Sequence, residues 1–132
     1  MGTVRKILLL DDEPSVLLAL KLVLKALKFE VQEFSQPELA LNFLKDSAQS
    51  DPKTAPVDLV LSDLKMPGLN GFEMLRETRL IYPELKFVLM SAHATREDVA
   101  RAKELGSNGY LAKPFDPRQL REVLEGLGAN SG

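Results

Sequence analysis

The chain has no cysteine, no tryptophan and a single histidine in 132 residues. Without cysteine there is no disulfide framework, no Cys-ligated zinc and no thiol nucleophile, so thiol redox chemistry is excluded. One histidine, His93, cannot supply the clustered imidazoles of a zinc or copper site. An excess of one charge is also missing. The balance of 17 basic against 19 acidic residues, net −2, gives no positive field of the kind that holds nucleic acid or anionic lipid. Lysines interrupt every apolar stretch, so no run is long enough to span a bilayer, and the opening Met-Gly-Thr-Val-Arg-Lys lacks the apolar segment of a secretory signal. The expectation is a cytoplasmic chain with neither nucleic acid nor membrane as a direct partner. With 45% hydrophobic and 27% charged residues, it has the composition and the length of one folded domain.

The apolar pattern switches repeatedly between short strand-like runs and longer helix-like ones, the signature of an α/β fold with a parallel sheet. Five strands are legible: Lys6 to Leu10, Phe29 to Phe34, Asp58 to Ser62, Lys86 to Ser91 and Gly109 to Ala112. The second alternates polar and apolar residues and reads as an edge candidate; the first reads as buried, the third and fourth as central strands covered on both faces, and the fifth is short. Five helices alternate with them. Pro14 after Glu13 and Pro117 after Asp116 suit first helical positions. Ser35 with Glu38, and Thr95 with Asp98, have capping-box spacing. Asn70 and Gly71 precede an amphipathic Phe72 to Leu80, which Pro83 ends. Asp46 to Pro56 reads as a polar loop longer than most connections, and Gly126 to Gly132 as a frayed tail. The predicted boundaries are a domain over residues 5–127 and a tail or linker over 128–132.

Unusual polar residues stand where each apolar strand stops, and in open parallel sheets that rim is where ligands bind. Asp11, Asp12 and Glu13 follow the first strand, Asp63 the third, Ser91 closes the fourth and Lys113 follows the fifth. If strands 1 and 3 are neighbours, with 2 at one edge and 4 and 5 beyond, Asp11, Asp12 and Asp63 meet at the switch point. Asp11 and Asp12 alone could be ordinary helix N-terminal acids; Asp63, at a different strand end, argues for convergence. Three convergent carboxylates repel unless their pKa values rise or a cation neutralises them. Hard oxygen donors suit Mg²⁺ or Mn²⁺. A Lys and a Ser hydroxyl beside such a metal organise a site for a phosphoryl group, leaving one carboxylate as nucleophile.

The motifs Leu10-Asp11-Asp12-Glu13, Ser62-Asp63-Leu64-Lys65-Met66-Pro67-Gly68, Met90-Ser91-Ala92 and Tyr110-Leu111-Ala112-Lys113-Pro114-Phe115, in this order at strand ends, resemble the receiver domain of two-component response regulators. The resemblance covers about Arg5 to Leu127. It implies a flavodoxin-like, doubly wound, five-stranded parallel sheet of order 2-1-3-4-5 with five helices in a single domain. It implies that Asp63 is the phosphoacceptor, that Asp12, Asp63 and the Lys65 carbonyl hold Mg²⁺ with Asp11 acting through water, and that Ser91 and Lys113 bind the phosphoryl oxygens. It further implies a switch in which Ser91 moves toward the phosphoryl group and Tyr110 rotates inward, and a cis peptide between Lys113 and Pro114. The resemblance also implies that the fourth helix, fifth strand and fifth helix form the reporting face, where a homodimer can also form, and that the donor is a sensor histidine kinase or a histidine phosphotransfer protein. Lys65 and His93 occupy positions that tune phosphoryl lifetime, and Asn70 stands where an acid is common. Such a chain is a self-phosphorylating, slowly self-dephosphorylating switch and not an enzyme acting on an external substrate.

In the first helix, 3.6-residue periodicity puts Val16, Ala19, Leu20, Val23 and Leu27 on the inward face. Leu17, Leu18 and Leu22 then flank Lys21, Lys25 and Lys28 and form a candidate docking patch for the kinase or phosphotransfer partner. Lysine stems that cover these leucines would leave no patch. Three rival readings remain: a stand-alone phosphate shuttle without an effector, a Mg-dependent phosphohydrolase of similar architecture, and a receiver-like scaffold that no longer takes phosphate.

Overall fold

The computed structural model describes residues 4–93 and 95–128. Among them the chain alternates β1 (Lys6–Leu10), α1 (Pro14–Ala26), β2 (Glu30–Phe34), α2 (Pro37–Ser50), β3 (Leu59–Asp63), α3 (Gly71–Ile81), β4 (Lys86–Ser91), α4 (Arg96–Glu104), β5 (Gly109–Ala112) and α5 (Pro117–Gly126). All strands pair in parallel in the order β2-β1-β3-β4-β5, the predicted doubly wound sheet with its switch point between β1 and β3. No helix among the described residues is long and apolar enough to cross a membrane.

The sheet separates two apolar layers. On one side Leu8, Leu10, Val60, Phe87 and Leu89 meet Leu44 of α2, Met74 and Leu75 of α3 and Ala102 of α4. On the other, Ile7, Leu9, Leu59, Leu61, Val88 and Met90 meet Leu17, Leu20 and Leu24 of α1 and Leu120 and Leu124 of α5. Alternate residues of β1, β3 and β4 thus point to opposite layers, both filled, which is why these strands are continuously apolar. The edge strand β2 keeps Glu30 and Glu33 exposed, charges that discourage edge-to-edge pairing.

Several expectations are corrected. Strand β2 starts at Glu30 rather than Phe29, because the Phe29 N–H bonds the Leu24 carbonyl and closes α1. Strand β3 begins and ends one residue later than predicted, so Asp63 is its last member. Asp46 to Ser50 is not loop: α2 continues through Ser50, with Ala48 packed on the core, and only the remainder from Asp51 is irregular. The Asp51 carboxylate turns the chain there by accepting from the Lys53 and Thr54 N–H groups. No side chain caps α2, whose N-cap is Gln36 with Pro37 following; Pro37 takes the first helical position, which puts Ser35 one residue before the N-cap and so out of register for a box with Glu38. Thr95 does cap α4, accepting from Asp98 N–H, but its own N–H donates to the His93 carbonyl, so the box is only half made. Asp116 and Gln119 form a complete box on α5. Gly126 belongs to α5, and Gly128 (φ +93°) ends that helix; the remaining tail residues, 129–132, lie outside the described residues.

The face of α1 is also rotated from its prediction. The buried residues are Leu17, Leu20 and Leu24, while Ala19 is exposed. Apolar residues occupy nearly every position of this helix, so their period defines an arc too wide to be centred without its neighbours. Leu17, 8% exposed, is core and not part of a surface patch; Leu18 and Leu22, at 53% and 59%, are on the surface.

Candidate functional site

The C-terminal ends of β1, β3, β4 and β5 converge at one rim. Asp11 follows β1 and is held by two bonds that fix its carboxylate: Oδ1 accepts from Glu13 N–H at 3.0 Å, and Oδ2 meets Lys113 Nζ at 2.7 Å. Its own N–H donates to Phe34 of β2. Asp12, half-buried, follows it. Asp63 closes a strand in which every residue is buried, and the Leu64 N–H extends the β3–β4 ladder by bonding the Met90 carbonyl at 2.9 Å. Asp11, Asp12 and Asp63 each offer a carboxylate oxygen within 4.8 Å of the others.

Lys113 is delivered by β5. Its N–H bonds the Ser91 carbonyl at 2.7 Å, the peptide to Pro114 is cis as expected, and its ammonium reaches both Asp11 and Asp63, the latter at 3.3 Å. Burial pulls the Lys113 pKa down, but the hydrogen bond and charge of Asp11, reinforced by Asp63, hold it above the ordinary lysine value. Asp63 also lies above its ordinary value. Burial is the main cause, Lys113 opposes it, and the charges of Asp11 and Asp12 add to it. The same contact that favours the ammonium therefore fails to bring the carboxylate down, because burial outweighs it and the two further acids offset part of its pull.

Ser91 is buried at the end of β4, and its Oγ accepts from His93 N–H at 3.1 Å, leaving its proton able to turn to another acceptor. Tyr110 stands on β5 opposite Leu89. Its hydroxyl is buried and makes no hydrogen bond of normal geometry. Burial raises its pKa, the nearby Ser91 hydroxyl opposes that rise, and the charges of Asp98 and Asp63 add to it. Lys65 and His93 are exposed.

The donor set suits a hard divalent cation. It is all oxygen, carries three carboxylates, and has only one compensating ammonium, so a bound Mg²⁺ or Mn²⁺ would relieve the remaining repulsion. Clustered acidic residues of this kind form a site consistent with Mg²⁺. By contrast, a cavity of about 620 Å³ lined by Val4, Pro52, Thr54, Tyr82 and Leu85 opens at the opposite rim, far from the converging charge. Beside the acidic crevice, Val16, Ala19 and Leu20 of α1 face Ala92, Pro114 and Phe115 across an apolar groove.

The sequence reading places Asp11, Asp12, Asp63, Ser91 and Lys113 at this rim, and the structure brings them together. The sharing of Lys113 between Asp11, 102 positions away, and Asp63, 50 positions away, has no local signal in the sequence. Asp98 shows in the sequence only as a helix-start acid, yet its charge bears on Tyr110.

The family model for the response regulator receiver domain matches residues 7–125. Over 120 residues the chain is 34% identical to the two-component response regulator ARR14 of Arabidopsis thaliana, covering 91% of this chain but 30% of that protein. It is 29% identical to the sporulation initiation phosphotransferase F of Bacillus subtilis, covering 91% and 90% of the two chains. The chain thus spans under a third of the plant regulator and about half of the response regulator GtcR of Aneurinibacillus migulanus. Among solved structures, the chemotaxis protein CheY4 of Vibrio cholerae is similar with a TM-score of 0.81 at 27% identity, covering 95% of this chain and 99% of that one. A receiver domain protein from Clostridium thermocellum gives 0.83 at 28%, covering 94% of each.

Proposed function

Because the chain belongs to the response regulator receiver domain family, a Mg²⁺-dependent phosphoacceptor switch and not an enzyme turning over an external substrate, we propose that Asp63 takes the phosphoryl group. The observation that carries this is the convergence of a carboxylate at the end of a fully buried strand with two other acids and one ammonium. A Asp63 carboxylate oxygen attacks phosphorus of a phosphohistidine; the P–N bond breaks, its electron pair stays on the imidazole nitrogen, which takes a proton, and an acyl phosphate remains. Asp12, Asp63 and the Lys65 carbonyl would hold Mg²⁺ or Mn²⁺, with Asp11 in support. Such a cation would neutralise developing charge on the phosphoryl oxygens. Lys113 contributes a second positive charge and Ser91 an O–H donor to the same oxygens. Lys65 and His93, exposed two residues beyond Asp63 and Ser91 respectively, tune how readily water reaches the product.

Phosphorylation adds roughly −1.5 to −2 charge, which draws Ser91 and Lys113 inward. Tyr110, with its hydroxyl already buried beside Ser91, follows and reports through the α4–β5–α5 face, where a homodimer can form. The donor is a phosphohistidine on a sensor kinase or phosphotransfer protein, docking across exposed Leu18 and Leu22 of α1.

The test uses phosphoramidate, a small P–N donor, with intact mass as the readout. Wild-type protein takes up one phosphoryl group with Mg²⁺ and none with EDTA. Ser91→Ala and Lys113→Ala slow labelling by about 100-fold or more, the loss typical of one preorganised donor. Leu18→Glu and Leu22→Glu leave phosphoramidate labelling intact and slow transfer from a phosphohistidine protein. Unchanged labelling in Lys113→Ala would refute the role given to the ammonium.

A further inference from the structure

We propose that Gly71 is a positioning residue for the phosphoacceptor. By lacking a side chain it lets the first turn of α3 rest on the backbone of Asp63, and so sets where that carboxylate stands relative to Asp11 and Asp12. The proposal rests on the reading of Asp63 as the acceptor in a metal-dependent site.

A Cβ added at Gly71 would lie 2.7 Å from the Asp63 carbonyl oxygen, 2.7 Å from Leu64 Cα and 2.7 Å from Leu89 Cδ2. Leu89 can rotate; the other two are backbone and cannot. Restoring ordinary contact, which begins at 3.4 Å, requires a shift of about 0.7 Å. Helix α3 resists moving, because Met74, Leu75 and Thr78 are buried and the Asn70–Glu73 box fixes its start. Nor can helix and strand simply part, because Gly71 N–H bonds the Leu64 carbonyl at 2.7 Å. The strain therefore falls on Asp63 and Leu64, and on the turn carrying Lys65. A carboxylate ligand displaced by several tenths of an ångström loses its share of a cation site, since such sites demand tight geometry.

Other glycines separate this role from ordinary backbone strain. Gly106 (φ +90°) ends α4 at the opposite rim, and a Cβ there meets only Arg79 Nε at 3.4 Å. Gly106→Ala is thus destabilised by its left-handed conformation, with no path to Asp63.

The experiment measures Mg²⁺ affinity of the full chain by calorimetry at 20 °C, where folding is checked by circular dichroism. Gly71→Ala weakens Mg²⁺ binding roughly 10- to 100-fold, and Gly106→Ala stays within about twofold of its parent. Leu89→Ala alone keeps the affinity, while Gly71→Ala with Leu89→Ala, relieved of the side-chain clash but not the two backbone clashes, still loses it. Parental affinity in Gly71→Ala, equal loss in Gly106→Ala, or recovery in the double variant overturns the proposal. So does failure of both Gly71 variants to fold, which makes the glycine structural rather than positional. A parent that itself binds no Mg²⁺ refutes instead the metal-dependent reading on which the proposal stands.

Discussion

Asp63→Asn should make the metal-free protein more stable, although it deletes the functional centre. In the crevice, Asp11 and Asp12 each stand within 4.8 Å of Asp63 and Lys113 stands at 3.3 Å. With an effective dielectric of 20, an acid at 4.8 Å repels by roughly 3.5 kcal/mol and the ammonium at 3.3 Å attracts by roughly 5. The charge and hydrogen bond of Lys113 together outweigh the two acids, so burial, the largest cause, is what raises the Asp63 pKa and makes the buried carboxylate costly. The amide carries none of this cost, and Lys113 keeps its 2.7 Å partner Asp11. We expect Asp63→Asn to gain about 1 to 2 kcal/mol at pH 7 in EDTA, read as a higher urea midpoint at unchanged slope. The pH dependence follows from linkage. A carboxyl whose folded pKa is raised contributes stability below the ordinary value of 3.8 and loses it as pH rises through the folded value. Wild type therefore falls relative to Asp63→Asn as pH increases through that window, and the two curves converge in acid. Saturating Mg²⁺, at about 100 times its dissociation constant, adds about 2.7 kcal/mol to wild type and reverses the order. A metal-free Asp63→Asn less stable than wild type at neutral pH would refute this electrostatic reasoning.

Lys28 holds φ +74° at the end of α1, in a turn where its N–H bonds the Lys25 carbonyl and the Phe29 N–H bonds that of Leu24. Glycine fills the same place after α4, so Lys28→Gly should stabilise by about 1 kcal/mol in urea unfolding. The Thr78 hydroxyl is buried with no partner, so Thr78→Val should be neutral or stabilising by up to about 1 to 2 kcal/mol; a clear loss in the melt would reveal a bond the hydroxyl makes. Asp116→Ala removes one arm of the α5 box and should cost about 1 kcal/mol, with hydrogen exchange faster in the first turn of α5 than in α3.

Strand order and rim residues were legible because apolar runs and the acids that end them are local features. Lys6–Leu10, Lys86–Ser91 and Gly109–Ala112 have the predicted bounds, whereas β3 lies one residue later than predicted, because aspartates stand at both of its limits and only its pairing with β4, Asp63 opposite Met90, decides which one the strand includes. The inward face of α1 was not legible, because leucines surround it and only α5 and the sheet choose among them. The end of α2 was missed because Asp46, Ser47 and Ser50 have turn-like chemistry, which the packing of Ala48 overrides. The sharing of Lys113 by two aspartates, and the closeness of Gly71 to the Asp63 backbone, arise from long-range geometry with no counterpart in sequence spacing.

Whether Asp63 is the phosphoacceptor is decided by locating the phosphoryl group after reaction with acetyl phosphate. Borohydride reduction and peptide mass mapping of wild type should place the modification at Asp63, only with Mg²⁺, and Asp63→Asn should remain unlabelled. Modification elsewhere, or labelling that persists in Asp63→Asn, would remove Asp63 as the acceptor, and labelling that persists in EDTA would remove the metal requirement.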